Sequence, residues 1–221
     1  MKRKITRPFK YEIPKTLSQS IYNYLKESIL KNELKPNQKI DEKEVANIFR
    51  VSRTPVREAV VRLAAEGFVK ITSHRESVVK KVSYKELKEI FQVIGVLDSY
   101  AITLIVDVIN PEELIKVEKM TAKMKNYFQL KEVEKFIDIN YAIHDLIWDH
   151  LTDINSYLQK ALRHCSIQIR LYNYALNSIF RKPEIFERSM NAHEEIMEAL
   201  KIKNKKKLKI IVLEHWVPPL P

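Results

Sequence analysis

The sequence predicts a mostly α-helical chain in two parts, a small helical unit closed by a β-hairpin and then an all-α bundle. Three observations carry this. Apolar residues recur at helical spacing behind recognisable caps along nearly the whole chain, and only one pair of β-prone runs interrupts them. The charge is also lopsided: residues 1–80 hold 18 Lys and Arg against 9 Asp and Glu, while the rest holds 21 against 19. The boundary is expected at Val82, giving units 1–82 and 83–221, the first suited to a polyanion and the second near neutral.

Composition narrows the function classes. The 221 residues include only two glycines, Gly67 and Gly95, so no Gly-rich phosphate loop or dinucleotide fingerprint fits. One cysteine, Cys165, cannot form an internal disulfide and suits a reducing compartment. No run approaches the ~18 apolar residues of a membrane span, and Met1 to Lys10 has no apolar signal core. A cytoplasmic protein without membrane attachment is expected, and no enzymatic role.

The elements follow in order. Apolar residues at 17, 21, 25, 29 and 30 make a helical stripe from Leu17 to Leu30, and Pro36 breaks the chain. Asp41 with Glu44 three residues later reads as a capping box opening a short helix through Val45, Ala46, Ile48 and Phe49. In the run from Val51 to Val60, Thr54 is placed as a cap with Pro55 at the first helical position. That helix would bury Val56, Ala59, Val60 and Leu63, leaving Arg53, Thr54 and Arg57 at its start and outer side. A short helix, a tight turn and a helix led by arginines make a helix-turn-helix, whose second helix presents its first residues to major-groove edges. Gly67 ends it in a left-handed conformation. The runs Phe68 to Thr72 and Ser77 to Val82 then form a two-stranded wing tipped by His74 and Arg75.

From Leu17 to Val82 the sequence resembles the GntR family of bacterial winged-helix regulators. The most specific match is the run Val51-Ser52-Arg53-Thr54-Pro55-Val56-Arg57-Glu58-Ala59-Val60, continued by Arg62 through Val69. The resemblance implies a homodimer reading a pseudo-palindrome in double-stranded DNA. It implies base or phosphate contacts from Arg53 and Arg57, phosphate contacts from Ser52 and Thr54, a contact from Lys43, and wing contacts from His74 or Arg75. Glu76, Asn32 and Asn37 stand where many members have Gly.

The body opens with a second capping box, Ser83 to Glu86, and a helix whose apolar face holds Leu87, Ile90, Phe91, Ile94, Leu97 and Ala101. Asn110-Pro111-Glu112-Glu113 restarts a helix with cap, proline and early acids in favoured places. Further helices are expected over Phe136 to Leu151, Asn155 to Phe180, Pro183 to Lys201 and Lys205 to Trp216. The lysines at 203, 205, 206, 207 and 209 read as a solvated turn.

Asn140 and His144 lie four apart, on one helix face, with His193 and His215 on the last two helices. The body resembles the all-helical FCD effector domain of the FadR-like branch. There, a carboxylate four residues before a His and two later His hold a metal. Here His144, His193 and His215 fall at the family's spacings of 49 and 22, with Asn140 in the carboxylate position. The resemblance implies a divalent ion, Zn or Ni, and a small effector, an organic acid, in a cavity between helices. An effector-binding Arg is implied near Ile94; this chain lacks it there, and Arg163 or Arg170 is expected in its stead. Two alternatives stand beside this reading. In one, Asn140 leaves the pocket metal-free. In the other, a hydrolytic zinc uses Glu194 as base, although Glu194 faces about 100° away from His193 on its helix.

Overall fold

The computed structural model describes residues 16–72, 76–175 and 183–217. His74 and Arg75 of the wing tip, Met1 to Lys10, the expected helix extension to Phe180 and the tail from Pro218 lie outside the described residues. The chain divides into two compact units. One comprises residues through Val82 together with Arg170–Ala175, and the other comprises Ser83–Ile169 and the remaining residues.

The described part of the first unit holds α1 (Leu17–Leu30), α2 (Glu42–Phe49), α3 (Arg53–Ala65), β1 (Val69–Ile71) and β2 (Ser77–Val79). Asp41 caps α2, its carboxylate accepting from the backbone N–H of Lys43 and Glu44. The turn into α3 passes through Arg50 in the left-handed region, φ 55°. α3 starts two residues earlier than its sequence suggests. Ser52 is its N-cap, so Thr54 lies inside the helix and Pro55 is its third residue. Proline is tolerated there for the same reason as at the first position, since the first four helical N–H groups have no partner within the helix. The buried face is the expected one, Val56, Ala59, Val60 and Leu63, and α3 packs on α1, whose Ile21 and Leu25 are buried in the same unit. Gly67 adopts φ 86°, which only glycine adopts cheaply. β1 and β2 pair antiparallel with Val69 opposite Val79, and Lys39 adds an isolated bridge to Val78. Asn32 and Asn37 have φ of 57° and 64°, the left-handed region that asparagine tolerates better than most residues.

The elements that follow are all helices among the described residues: α4 (Tyr84–Ile105), α5 (Pro111–Gln129), α6 (Val133–Asp149), α7 (Leu151–Ile154), α8 (Ser156–Ala175), α9 (Pro183–Lys201) and α10 (Lys205–His215), the second unit taking α8 as far as Ile169. The capping box expected at Ser83 forms with side chain and backbone satisfied reciprocally, and Asn110, expected as a cap, forms one as well. The helix expected to reach Leu151 stops at Asp149. The His150 N–H turns back to Ile147, and the Trp148 carbonyl accepts from Gln159 Nε2 instead. Packing runs α4 against α10, α10 against α9, α9 against α5, α5 against α6 and α6 back against α4, a closed ring of five helices. Ile94, Ile105, Met124, Ile143 and Trp148 fill it, each fully buried. Gly95 lets the ring close tightly, for a β-carbon there would sit 3.2 Å from Trp216 Cβ.

Candidate nucleic-acid interface and histidine centre

In the first unit, Lys43, Ser52, Arg53, Thr54 and Arg57 are all exposed. They cluster where α2 and α3 begin, and Arg53, Thr54 and Arg57 share a shallow groove with Glu42, Glu58 and Val61. Arg53 reaches Glu42 at only 3.9 Å, with 71% of its side chain exposed, so that ion pair holds it weakly. The Ser52 side chain makes no capping bond, which leaves its hydroxyl and the first N–H groups of α3 facing outward beside the two guanidinium groups. Glu76, next to the wing tip, is paired with Lys39 at 2.6 Å, which offsets its repulsion of phosphate.

In the second unit the four residues implied by the resemblance come together. His144 of α6, His193 of α9 and His215 of α10 place one ring nitrogen each within 4.8 Å of one another. Ring centroids lie 4.9, 4.9 and 5.2 Å apart, close to an equilateral triangle. His144 Nε2 and His215 Nε2 are 3.2 Å apart, and His193 Nε2 is 2.8 Å from Asn140 Oδ1. The Asn140 oxygen also accepts from the Ser189 hydroxyl at 3.2 Å. Burial lowers the His193 pKa to about 4 and, with the charges of His193 and Arg188, holds His215 well below the usual imidazole value. Both rings are therefore neutral near pH 7, the form that ligates.

Asp98 was not anticipated as part of this centre. It is buried on α4, with Oδ1 accepting from Trp148 Nε1 at 2.6 Å and Oδ2 from Trp216 Nε1 at 2.7 Å. Its Oδ2 lies 3.8 Å from His144 Nδ1. Burial pushes its pKa up to about 6 against the two indole donors, which act to lower it. A signal was present: Asp98 stands among Phe91, Ile94, Ala101, Ile102 and Ile105, a carboxylate on an apolar helix face.

The other candidates sit elsewhere. Arg163 is half-buried and bonds Asp149 Oδ1 at 2.5 Å, while Arg170 is half-buried near the end of α8. Glu194 pairs with Lys125 on the exposed side of α9 and α5, away from the ring interior. His150 lies 3.5 Å from Glu113, and the lysines at 203, 205, 206, 207 and 209 are exposed. Burial raises the Cys165 thiol pKa, which disfavours a thiolate role. Among the described residues, no helix is long and apolar enough to cross a membrane.

Two family models match the chain: bacterial regulatory proteins of the gntR family over residues 17–79, and the FCD domain over residues 89–217. The chain is 28% identical to the HTH-type transcriptional regulator YdhC of Bacillus subtilis, over 94% of this chain and 91% of that protein. It is 24% identical to the HTH-type transcriptional repressor RspR of Escherichia coli, over 84% and 89%. Among solved structures, E. coli McbR/YncC superposes with a TM-score of 0.75 at 22% identity, covering 91% of this chain and 93% of that one. Arginine-led helix, wing, helical ring and family models agree, and the chain belongs to the GntR family of bacterial regulatory proteins as a DNA-binding transcription regulator with an FCD domain.

Proposed function

We propose that this regulator works in the cytoplasm as a homodimer on a pseudo-palindromic operator, reading it with residues 1–82. In this reading residues 83–221 form the effector-binding and dimerisation domain. His144, His193, His215 and Asn140 hold a divalent ion, Zn or Ni. The observation that carries the metal reading is the convergence of three imidazole nitrogens within 4.8 Å. The 3.2 Å between two Nε2 atoms approaches the edge of a tetrahedron built on bonds of about 2.0–2.1 Å. An ion held there supplies a Lewis-acid position for a carboxylate oxygen, so the effector is a small organic acid. Arg163 and Arg170 are its assigned cationic partners. Arg163 would have to leave Asp149 to serve, a modest cost for a half-exposed pair.

The dimer reading draws on an apolar face of the helical ring. Val93, Val96 and Tyr100 on α4, Ile210 and Leu213 on α10 and Val217 just beyond it are all exposed, with Val96 at 61%. α4 and α10 pack side by side, with Leu213 against Gly95, so the two stripes adjoin. Together they present on the order of 500 Å² per copy, the apolar centre of the roughly 800 Å² per partner that a stable interface needs. A second copy applied through a twofold axis covers this face with the same face of itself.

A specific observation favours a second reading of the centre. His193 bonds Asn140, and His144 and His215 stand in hydrogen-bonding distance, so the cluster is satisfied without an ion. Metal analysis of purified protein, with Zn²⁺ titrated into chelator-treated protein, decides between them. Stoichiometric binding that disappears on His144→Ala with His193→Ala supports the metal centre. No binding by the parent protein removes it and leaves the DNA-binding role intact. Candidate organic acids are then screened for an effect on operator binding, with and without metal.

A further inference from the structure

A carboxylate is buried beside the histidine triangle. Asp98 is fixed from two sides by indole N–H donors, Trp148 on α6 and Trp216 at the C-cap of α10. These are the helices that carry His144 and His215. Trp148 stands one turn after His144, their rings 5.4 Å apart, and the Trp216 ring is 4.8 Å from His144. The His144 ring therefore lies against both indoles, with Nδ1 turned toward Asp98 Oδ2 at 3.8 Å and Nε2 toward His215 Nε2 at 3.2 Å.

The 3.8 Å separation is too long for a hydrogen bond but short for a charge facing a ring nitrogen. A lone pair on Nδ1 would point at a carboxylate oxygen and be repelled. An N–H there is attracted, and a medium without water weakens neither effect. We propose that Asp98 is a positioning residue for the histidine centre, its carboxylate holding His144 in the tautomer protonated on Nδ1 so that Nε2 turns its lone pair into the triangle. The two tryptophans position the carboxylate in turn, tying α4 to α6 and α10. The consequence for metal affinity rests on the metal reading above; the tautomer itself does not.

Asp98→Asn keeps the shape but changes the chemistry. An amide accepts through one oxygen only, so one indole loses its partner, and an NH₂ turned to His144 favours the lone pair on Nδ1. The first measurement is a long-range ¹H–¹⁵N spectrum of histidine-labelled, metal-free, full-length protein. His144 is expected to show a protonated Nδ1 and an unprotonated Nε2 in the parent, and a mixed or reversed pattern in Asp98→Asn. The second is Zn²⁺ affinity by competition with a chromophoric chelator. Asp98→Asn is expected to bind about 10–100-fold more weakly, the usual cost of losing an outer partner of a metal-ligating His. In a His144→Ala background the same change should cost nothing further, whereas a general packing defect would cost the same in both. Should Asp98→Asn fail to fold, Trp216→Phe keeps the charge, removes one tether and is expected to give a smaller loss in affinity. An unchanged His144 tautomer, or equal zinc affinity in a folded Asp98→Asn, overturns the assignment. A parent protein that takes up no zinc overturns the metal reading instead, and the tautomer still judges Asp98.

Discussion

Replacing Lys43 by Gln removes an exposed ammonium from the second residue of α2, next to the start of α3, without touching a buried group. Its effect on DNA binding follows from counterion release. Each phosphate contact contributes about −0.9 to the slope of log K against log salt on duplex DNA. A monomer carries one Lys43, and a twofold dimer engaging both half-sites carries two. The slope should therefore become shallower by about 1.8 for a dimer and by about 0.9 for a monomer. Fluorescence anisotropy on a labelled mixed-sequence duplex, over roughly 50–300 mM KCl, measures it without knowledge of the operator. Arg57→Gln provides the contrast. If its guanidinium reads a base, the loss is about 1–3 kcal/mol at one position of each half-site and appears mainly on specific DNA. A Lys43→Gln slope indistinguishable from that of the parent would refute the placement of this end of α2 against phosphate. A change near 0.9 would refute simultaneous engagement of two copies.

Other expectations rest on the same structure. In metal-free protein, stability should fall on acidification from about pH 6 to pH 4. His193, lowered to about 4, takes up its proton later in the folded chain than in the unfolded one, where it titrates near 6.5, so that window costs stability; His215 acts in the same direction. Asp98, raised to about 6, is protonated earlier in the folded chain and returns stability as pH drops from 6 toward 3.8. Two imidazoles acting in one direction outweigh one carboxylate acting in the other, and urea midpoints that stay equal at pH 4.5 and 6.5 would contradict it. Leu63→Ala, at a fully buried position of α3, should cost about 2–5 kcal/mol by urea denaturation, and a loss under 1 kcal/mol would mean the site collapses around the void. Val96→Glu, on the exposed face of α4, should leave the circular dichroism spectrum unchanged while light scattering reports monomers; persistent dimers would place the interface elsewhere. Asn140→Asp should bind zinc more tightly than the parent, since a charged oxygen replaces a neutral one. An unaltered competition titration would remove residue 140 from the donor set.

The local structure was legible because it is written in local chemistry. Asp41, Ser83 and Asn110 are caps whose partners lie three residues away, and all three act as caps in the structure. The buried face of α3 could be read from spacing alone. The start of α3 lies two residues before the expected one because Ser52 and Thr54 are both acceptable caps, and proline is neutral over several early positions. The break at His150 was hidden because it depends on Gln159 capturing the Trp148 carbonyl from another helix. The histidines themselves were visible, and their convergence was expected from family resemblance rather than spacing. Asp98 escaped notice because its partners lie 50 and 118 positions away, beyond any local pattern.

The two glycines show what this chain demands of its backbone. Gly67 turns α3 into the wing through a left-handed conformation, and Gly95 lets α10 approach α4 closely enough to close the helical ring. Other left-handed positions are filled by Asn32, Asn37, Arg50, Lys131 and Lys203, where a side chain is tolerated at modest strain. No such compromise serves at Gly95. A β-carbon there would meet Trp216, whose indole N–H holds Asp98 and whose neighbour is His215. A side chain at 95 that pushed α10 outward would carry His215 away from His144 and draw Trp216 from the carboxylate in the same movement. Closure of the ring and assembly of the histidine centre are thus one structural event, set by the missing side chain on α4.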